Sequence, residues 1–181
     1  MWDESAETGT TLSRPLDLRT AERIRDIAGV FRASAHLSVD GAAACADEPA
    51  VVADALGHLV CGTDVLIECR GGHVQPALVC LAAYLSDVPP DASSEASRQV
   101  TVGMPHGIHT RPSAHIALLT RLFDADVTLS KDAGEEVDAR SVLDIGCLGA
   151  VHGAALRIHA TGPDAEEAAA TLAGYIAAAE V

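Results

Sequence analysis

The stretch GMPHGIHTRPSAHI, residues 103–116, gathers the chain's best candidates for chemistry. His109 and Arg111 stand two residues apart, after Gly107 and before an apolar run in which Ile116, Leu119 and Phe123 recur at helical spacing. Pro112 suits a first helical turn. His109 therefore falls at a helix start, where unpaired backbone N–H groups and the positive dipole end form an anion site. Arg111 adds a guanidinium fork suited to phosphate oxygens, and Gly107 lets the backbone turn tightly beside it. An imidazole with a pKa of about 6.5 is largely neutral at pH 7, so a ring nitrogen can act as nucleophile. These features describe a histidine that accepts a phosphoryl group and releases it again. The dipole contributes only about 0.3–2 kcal/mol, which suits a carrier. His106 and His115 are expected to be solvated surface residues. No metal site is expected, since a spacing of six does not put His109 and His115 on one helix face.

The elements that must position His109 can be read around it. RQVTVGM (98–104) and ADVTLSK (125–131) alternate apolar and polar residues as half-buried strands do. EEVDA (135–139) follows the turn Asp132-Ala133-Gly134 as a short third strand, and AALRIHA (154–160) is a fourth. Ser141 precedes VLDIGCLG and is placed to cap a brief helix ended by Gly149. Asp164 with Glu167 has the form of a capping box, opening a helix whose Ala168, Leu172, Tyr175, Ile176 and Ala179 form one stripe. The order is βαββαβα, which as helices on one face of an antiparallel sheet is an α+β two-layer solution.

The same pattern occurs earlier in the chain. Arg19, Ile24, Ile27, Phe31, Leu37 and Asp40 stand 92 residues before Arg111, Ile116, Leu119, Phe123, Leu129 and Asp132, and Leu56-Gly57 meets Leu148-Gly149 at that offset. After one extra residue in the first copy the offset is 91, pairing Gly62, Ile67, Gly71, Leu81 and Tyr84 with Gly153, Ile158, Gly162, Leu172 and Tyr175. The chain reads as two copies of one small domain, at 1–87 and 98–181. A Pro/Ser/Ala-rich linker at 88–97 separates them.

Composition narrows the function. Of the 181 residues 49% are hydrophobic and 21% charged, as in a packed globular protein, and 3% are aromatic, so the core must be aliphatic. Residues 1–97 carry 15 acidic and 6 basic side chains, net −9, and residues 98–181 carry 11 and 6, net −5. Neither half has a basic patch, which argues against nucleic acid and anionic lipid as partners. No apolar run approaches the roughly 20 residues of a membrane span. The acidic start MWDESAETG is the reverse of a signal peptide, so a cytoplasmic protein is expected. Five cysteines without a C-x-x-C pair read as buried core thiols. No nucleotide-binding glycine loop is present, and no cofactor is expected.

Residues 98–181 resemble HPr, the histidine-containing phosphocarrier family of the bacterial phosphoenolpyruvate-dependent sugar phosphotransferase system. GIHTRPSA (107–114) is similar to the family signature G-[LIV]-H-[AT]-R-P-[AS]-A, DARSVLDIGCLGA from Asp138 to the second signature, and TGPDAEEA from Thr161 to the entry of the last helix. The resemblance implies a tandem open-faced β-sandwich in which enzyme I phosphorylates His109 on Nδ1 and an enzyme IIA-type domain discharges it. It implies a phosphate-contacting Arg111 within the loop that Gly107, Thr110 and Pro112 complete. It places Ser141 at the family's regulatory serine, beside its reading as a plain N-cap. Val142, Leu143 and Ile145 fall on the partner-docking face, whose basic ring is reduced here to Arg121 and Arg140. That reduction points to a specialised partner, such as a nitrogen-type or dihydroxyacetone-kinase system. In the first copy Asp17 replaces His109 and Thr20 replaces Pro112, while Arg19 survives, so that copy cannot carry phosphohistidine at this position. Its expected role is regulatory or docking, with a carboxylate that partly imitates the phosphorylated state. The leading reading is a stoichiometric phosphocarrier rather than a free-standing enzyme. The alternative is a regulatory binding protein with an HPr-like fold that docks onto a partner.

Overall fold

The computed structural model describes residues 4–86, 94–132 and 134–178. The chain divides into two compact units, Met1–Pro90 and Asp91–Val181. Unit 1 runs β1 (Glu4–Thr11), α1 (Leu18–Val30), β2 (Ala33–Val39), β3 (Ala42–Cys45), α2 (Pro49–Leu56), β4 (Asp64–Gly71) and α3 (Val74–Ser86). Unit 2 repeats the order with β5 (Glu95–Thr101), α4 (Thr110–Thr120), β6 (Asp126–Lys131), β7 (Val137–Asp138), α5 (Val142–Cys147), β8 (Ala155–Thr161) and α6 (Ala165–Ala177). Each unit is a four-stranded antiparallel sheet, ordered β1-β4-β2-β3 and β5-β8-β6-β7. The expected α+β open-faced β-sandwich is therefore present twice.

The paired residues of the internal comparison are the two cores. Ile24 and Ile116, Phe31 and Phe123, Ile67 and Ile158, and Tyr84 and Tyr175 are all buried. Burial of such side chains is the main favourable term in folding, about 1.5–3 kcal/mol each. The turns repeat as well. Asp40 and Asp132 both have positive φ, as do Gly62 and Gly153. Asp40-Gly41, both left-handed, form the two-residue turn that joins Val39 to Ala42.

Several local expectations change. β5 opens at Glu95, inside the segment 88–97 read as a linker, while residues 87–93 lie outside the described residues. Only Ala96 of its first residues faces inward, between exposed Glu95 and Ser97, which hides the strand in a polar composition. The third strand of unit 2 shrinks to Val137–Asp138, paired with Leu129 and Thr128. In the turn before it Gly134 N–H donates to Lys131 O at 2.7 Å, and Ala133 lies outside the described residues. Asp164 makes no capping bond. Its Oδ2 instead accepts from Asp124 N at 3.0 Å, fastening the start of α6 to the turn before β6. Ala179, placed on the stripe of that helix, lies outside the described residues.

The cysteines split. Cys69 and Cys80 are buried, and burial pushes the Cys69 thiol up to about 12 and holds that of Cys80 well above its ordinary value. Cys61 and Cys147 are exposed, because they sit on a loop and at the end of a short helix rather than on core faces.

Candidate functional site

The segment from Val102 to His109 is held at both ends and in the middle. Val102 continues the edge of β5, accepting from Gly153 N at 2.8 Å and donating to Ala154 O at 2.9 Å. Gly103 N–H donates to Ile176 O at 3.0 Å, and its oxygen faces His152 Nδ1 at 3.1 Å. A Cβ at Gly103 would collide with the Ala177 carbonyl. Gly107 is left-handed at φ +66°, and a Cβ there would lie 2.5 Å from Ala150 O. Glycine is needed at 107 for both reasons. Next to it Ile108 is buried and donates to the same Ala150 O at 2.8 Å. The loop thus delivers His109 to the start of α4 with little freedom.

His109 is the N-cap of α4, exposed and in extended backbone (φ −101°, ψ −171°), and its side chain makes no capping bond. One contribution is legible in the sequence. An N-cap side chain usually accepts from the N–H two or three residues on. Pro112 occupies the third helical position and has no N–H to give. The imidazole is left free, and the cap is fixed through its carbonyl, which accepts from both Ser113 N and Ser113 Oγ at 2.9 Å. Ser113 is fully buried. The N–H groups left open at the helix start belong to Thr110 and Arg111, both exposed. Arg111 makes no salt bridge among the described residues, so its guanidinium is available to an anion held there.

His115, expected on the surface, is half-buried. Its Nδ1 lies 2.8 Å from the hydroxyl of buried Tyr175, with the two rings edge to face. Helical spacing carries it to the flank of α4 that meets α6, a consequence of packing that a solvated-histidine reading misses. His106 is exposed. Among the described residues no three histidine, cysteine or acidic side chains are grouped to hold a metal ion.

Ser141 is the N-cap of α5, its Oγ accepting from Asp144 N at 3.3 Å. Of the three apolar residues expected on the docking face, Leu143 is 80% exposed and Val142 half-buried, but Ile145 is fully buried and belongs to the core. A six-residue helix lying on the core must turn one residue of its single turn and a half inward, and Ile145 is that residue. Leu118 and Val151 are exposed and were missed. Leu118 lies between the buried Ala117 and Leu119, off the stripe that identified the helix. Of the reduced basic ring, Arg140 is committed to Asp126 at 2.9 Å and Ala125 O, and Arg121 donates to Arg140 O.

The residues matching the family model described as "PTS HPr component phosphorylation site" are 96–178. The phosphocarrier protein HPr of Vibrio cholerae is 38% identical over 71 residues, covering 39% of this chain and 82% of that protein. The chain belongs to the HPr family. The phosphocarrier protein NPr of Escherichia coli strain K12 is 39% identical over 66 residues, 36% of this chain and 73% of its own length. The family-model match lies within unit 2, whereas a multiphosphoryl transfer protein of Escherichia coli O157:H7 matches across both units. It is 28% identical over 167 residues, 86% of this chain, and the chain spans 43% of its length. The chain is thus a phosphocarrier-family protein of the phosphotransferase system, with a second, degenerate copy of the fold.

Proposed function

We propose that His109 is the phosphoryl acceptor of a phosphoenolpyruvate-dependent phosphotransfer relay, loaded by enzyme I and discharged to an enzyme IIA-type domain. The observation that carries this is the uncapped, exposed imidazole at the start of α4, with Arg111, which makes no salt bridge among the described residues, two positions on. In the loading step the Nδ1 lone pair attacks phosphorus, the bond from phosphorus to the donor breaks, and its electron pair stays on the donor. Discharge is the same displacement with the acceptor as nucleophile and His109 as leaving group. Arg111 and the N–H groups of Thr110 and Arg111 face the phosphoryl oxygens, and Gly107 sets the turn that brings the ring to them. The chain is a stoichiometric intermediate in this reading, with Leu143 and Val151 in the surface that partners cover. Ser141, capping the short helix beside that surface, is the proposed regulatory position, since phosphate there would add charge next to Leu143.

The test is a relay. The protein is incubated with phosphoenolpyruvate and enzyme I, then with an enzyme IIA domain, and acid-labile phosphate is followed on each. Uptake followed by transfer, both absent in His109→Ala, is expected. Transfer that persists in His109→Ala would overturn the proposal.

A further inference from the structure

We propose that Ser113 is a positioning residue for phosphoryl transfer, its buried hydroxyl holding the peptide between His109 and Thr110 so that the Thr110 N–H points at the phosphoryl group. This inference rests on His109 being the acceptor. The two helix starts of the molecule supply the argument. At α1 two bonds close the first turn: Thr20 N donates to Asp17 Oδ1 at 2.8 Å and Ala21 N to Asp17 O at 2.9 Å. The first of these has no counterpart at α4, where Pro112 has no N–H and the His109 ring makes no capping bond. A second bond is nevertheless present. Ser113, which stands where unit 1 has Ala21, donates to His109 O from its N–H and from its Oγ, both at 2.9 Å. The hydroxyl replaces the side-chain cap without engaging the imidazole. Ser113 and Ala21 are both fully buried, so the two starts differ by one hydroxyl inside the same packing.

The hydroxyl acts through a rigid unit. The carbonyl of His109 and the N–H of Thr110 belong to one planar trans peptide, in which they point in opposite directions. Anchoring the carbonyl to Ser113 inside the helix therefore fixes the N–H on the outer side, at the open helix start. It also sets the ψ of His109, −171°, and with it the angle between the ring and that N–H. A carbonyl that accepts two bonds polarises its peptide, which strengthens the N–H as a donor to an anion. Burial of Ser113 keeps water from competing for the hydroxyl.

The experiment uses the full-length 15N-labelled protein with phosphoenolpyruvate and enzyme I, and compares Ser113→Ala with Thr120→Val. Thr120 makes the same kind of bond at the far end of α4, from its buried Oγ1 to Ile116 O at 2.8 Å, so Thr120→Val controls for a merely structural loss. Alanine at the equivalent position of unit 1 shows that the fold accepts Ser113→Ala. Ser113→Ala is expected to lower the initial rate of phosphate uptake about fivefold. It should also shrink the displacement of the Thr110 amide signal that accompanies phosphorylation of His109. Thr120→Val should leave both unchanged. A wild-type rate and Thr110 displacement in Ser113→Ala would overturn the proposal, as would an equal loss in Thr120→Val. If the unsubstituted protein takes no phosphate at His109 while an HPr standard does, the acceptor reading falls and this inference with it.

Discussion

Two helix starts, one in each unit, share a fold and differ in who does the capping. At α1 the cap is Asp17, whose Oδ1 accepts from Thr20 N at 2.8 Å, so the side chain is spent on its own helix. At α4 the cap is His109, whose side chain makes no capping bond, and Pro112 at the equivalent of Thr20 has no N–H to donate. Both the cap residue and the N–H three residues on differ between the two starts, and only the Asp17 side chain is bonded into its own helix. The approaches differ too. From the strand-end residue that accepts the glycine N–H, the chain takes five residues to reach Asp17 from Leu12, and seven to reach His109 from Val102. The extra length in unit 2 includes Gly107 and its left-handed turn. The bond to Thr20 also limits how far Asp17 can imitate a phosphorylated histidine, because one carboxylate oxygen is turned into the helix.

The contrast can be broken most severely at His109. His109→Ala should reduce phosphate uptake by about 10³-fold or more, since no other nucleophile stands at the helix start. Gly107→Ala comes next. The φ of +66° and the Ala150 carbonyl 2.5 Å from the new Cβ should cost about 1–3 kcal/mol and slow phosphate uptake, read by denaturant unfolding and by the initial rate. Asp17→Ala should cost about 1 kcal/mol through the lost cap, seen in unfolding, and leave phosphate uptake unchanged. The smallest effect is expected from Asp17→His combined with Thr20→Pro, which should leave the chain at one phosphate by intact mass. The shorter approach loop remains in that variant. A second phosphate there would show that these two residues alone decide.

Much of this arrangement was legible because it rests on local rules. Alternation gave β6 and the second half of β5, apolar spacing gave α4, and the run GIHTRP placed His109 and Arg111 at a helix start. The paired core residues showed the repeat because buried positions tolerate little change. What escaped depended on tertiary geometry. Asp164 and Glu167 have a capping box's spacing, but the backbone of Asp124 competes for the carboxylate across the fold. The bond between His115 and Tyr175 joins residues 60 apart in the chain. Ile145 reads as one apolar residue among three, and only the seat of α5 on the core shows which of them points inward. The difference in loop length is hidden because the first matched pair, Arg19 and Arg111, stands after the two approaches have diverged.

The central claim is that the uncapped imidazole of His109, and no other group, receives the phosphoryl group. The most direct measurement is an 15N–1H spectrum of the ring nitrogens of all eight histidines, recorded before and after phosphoenolpyruvate and enzyme I are added. An HPr standard in a parallel tube shows that the donor is active. The account predicts that Nδ1 of His109 alone moves to the position of a phosphorylated nitrogen. A phosphorylated nitrogen on another histidine, or no change in any of them while the standard is phosphorylated, would contradict it.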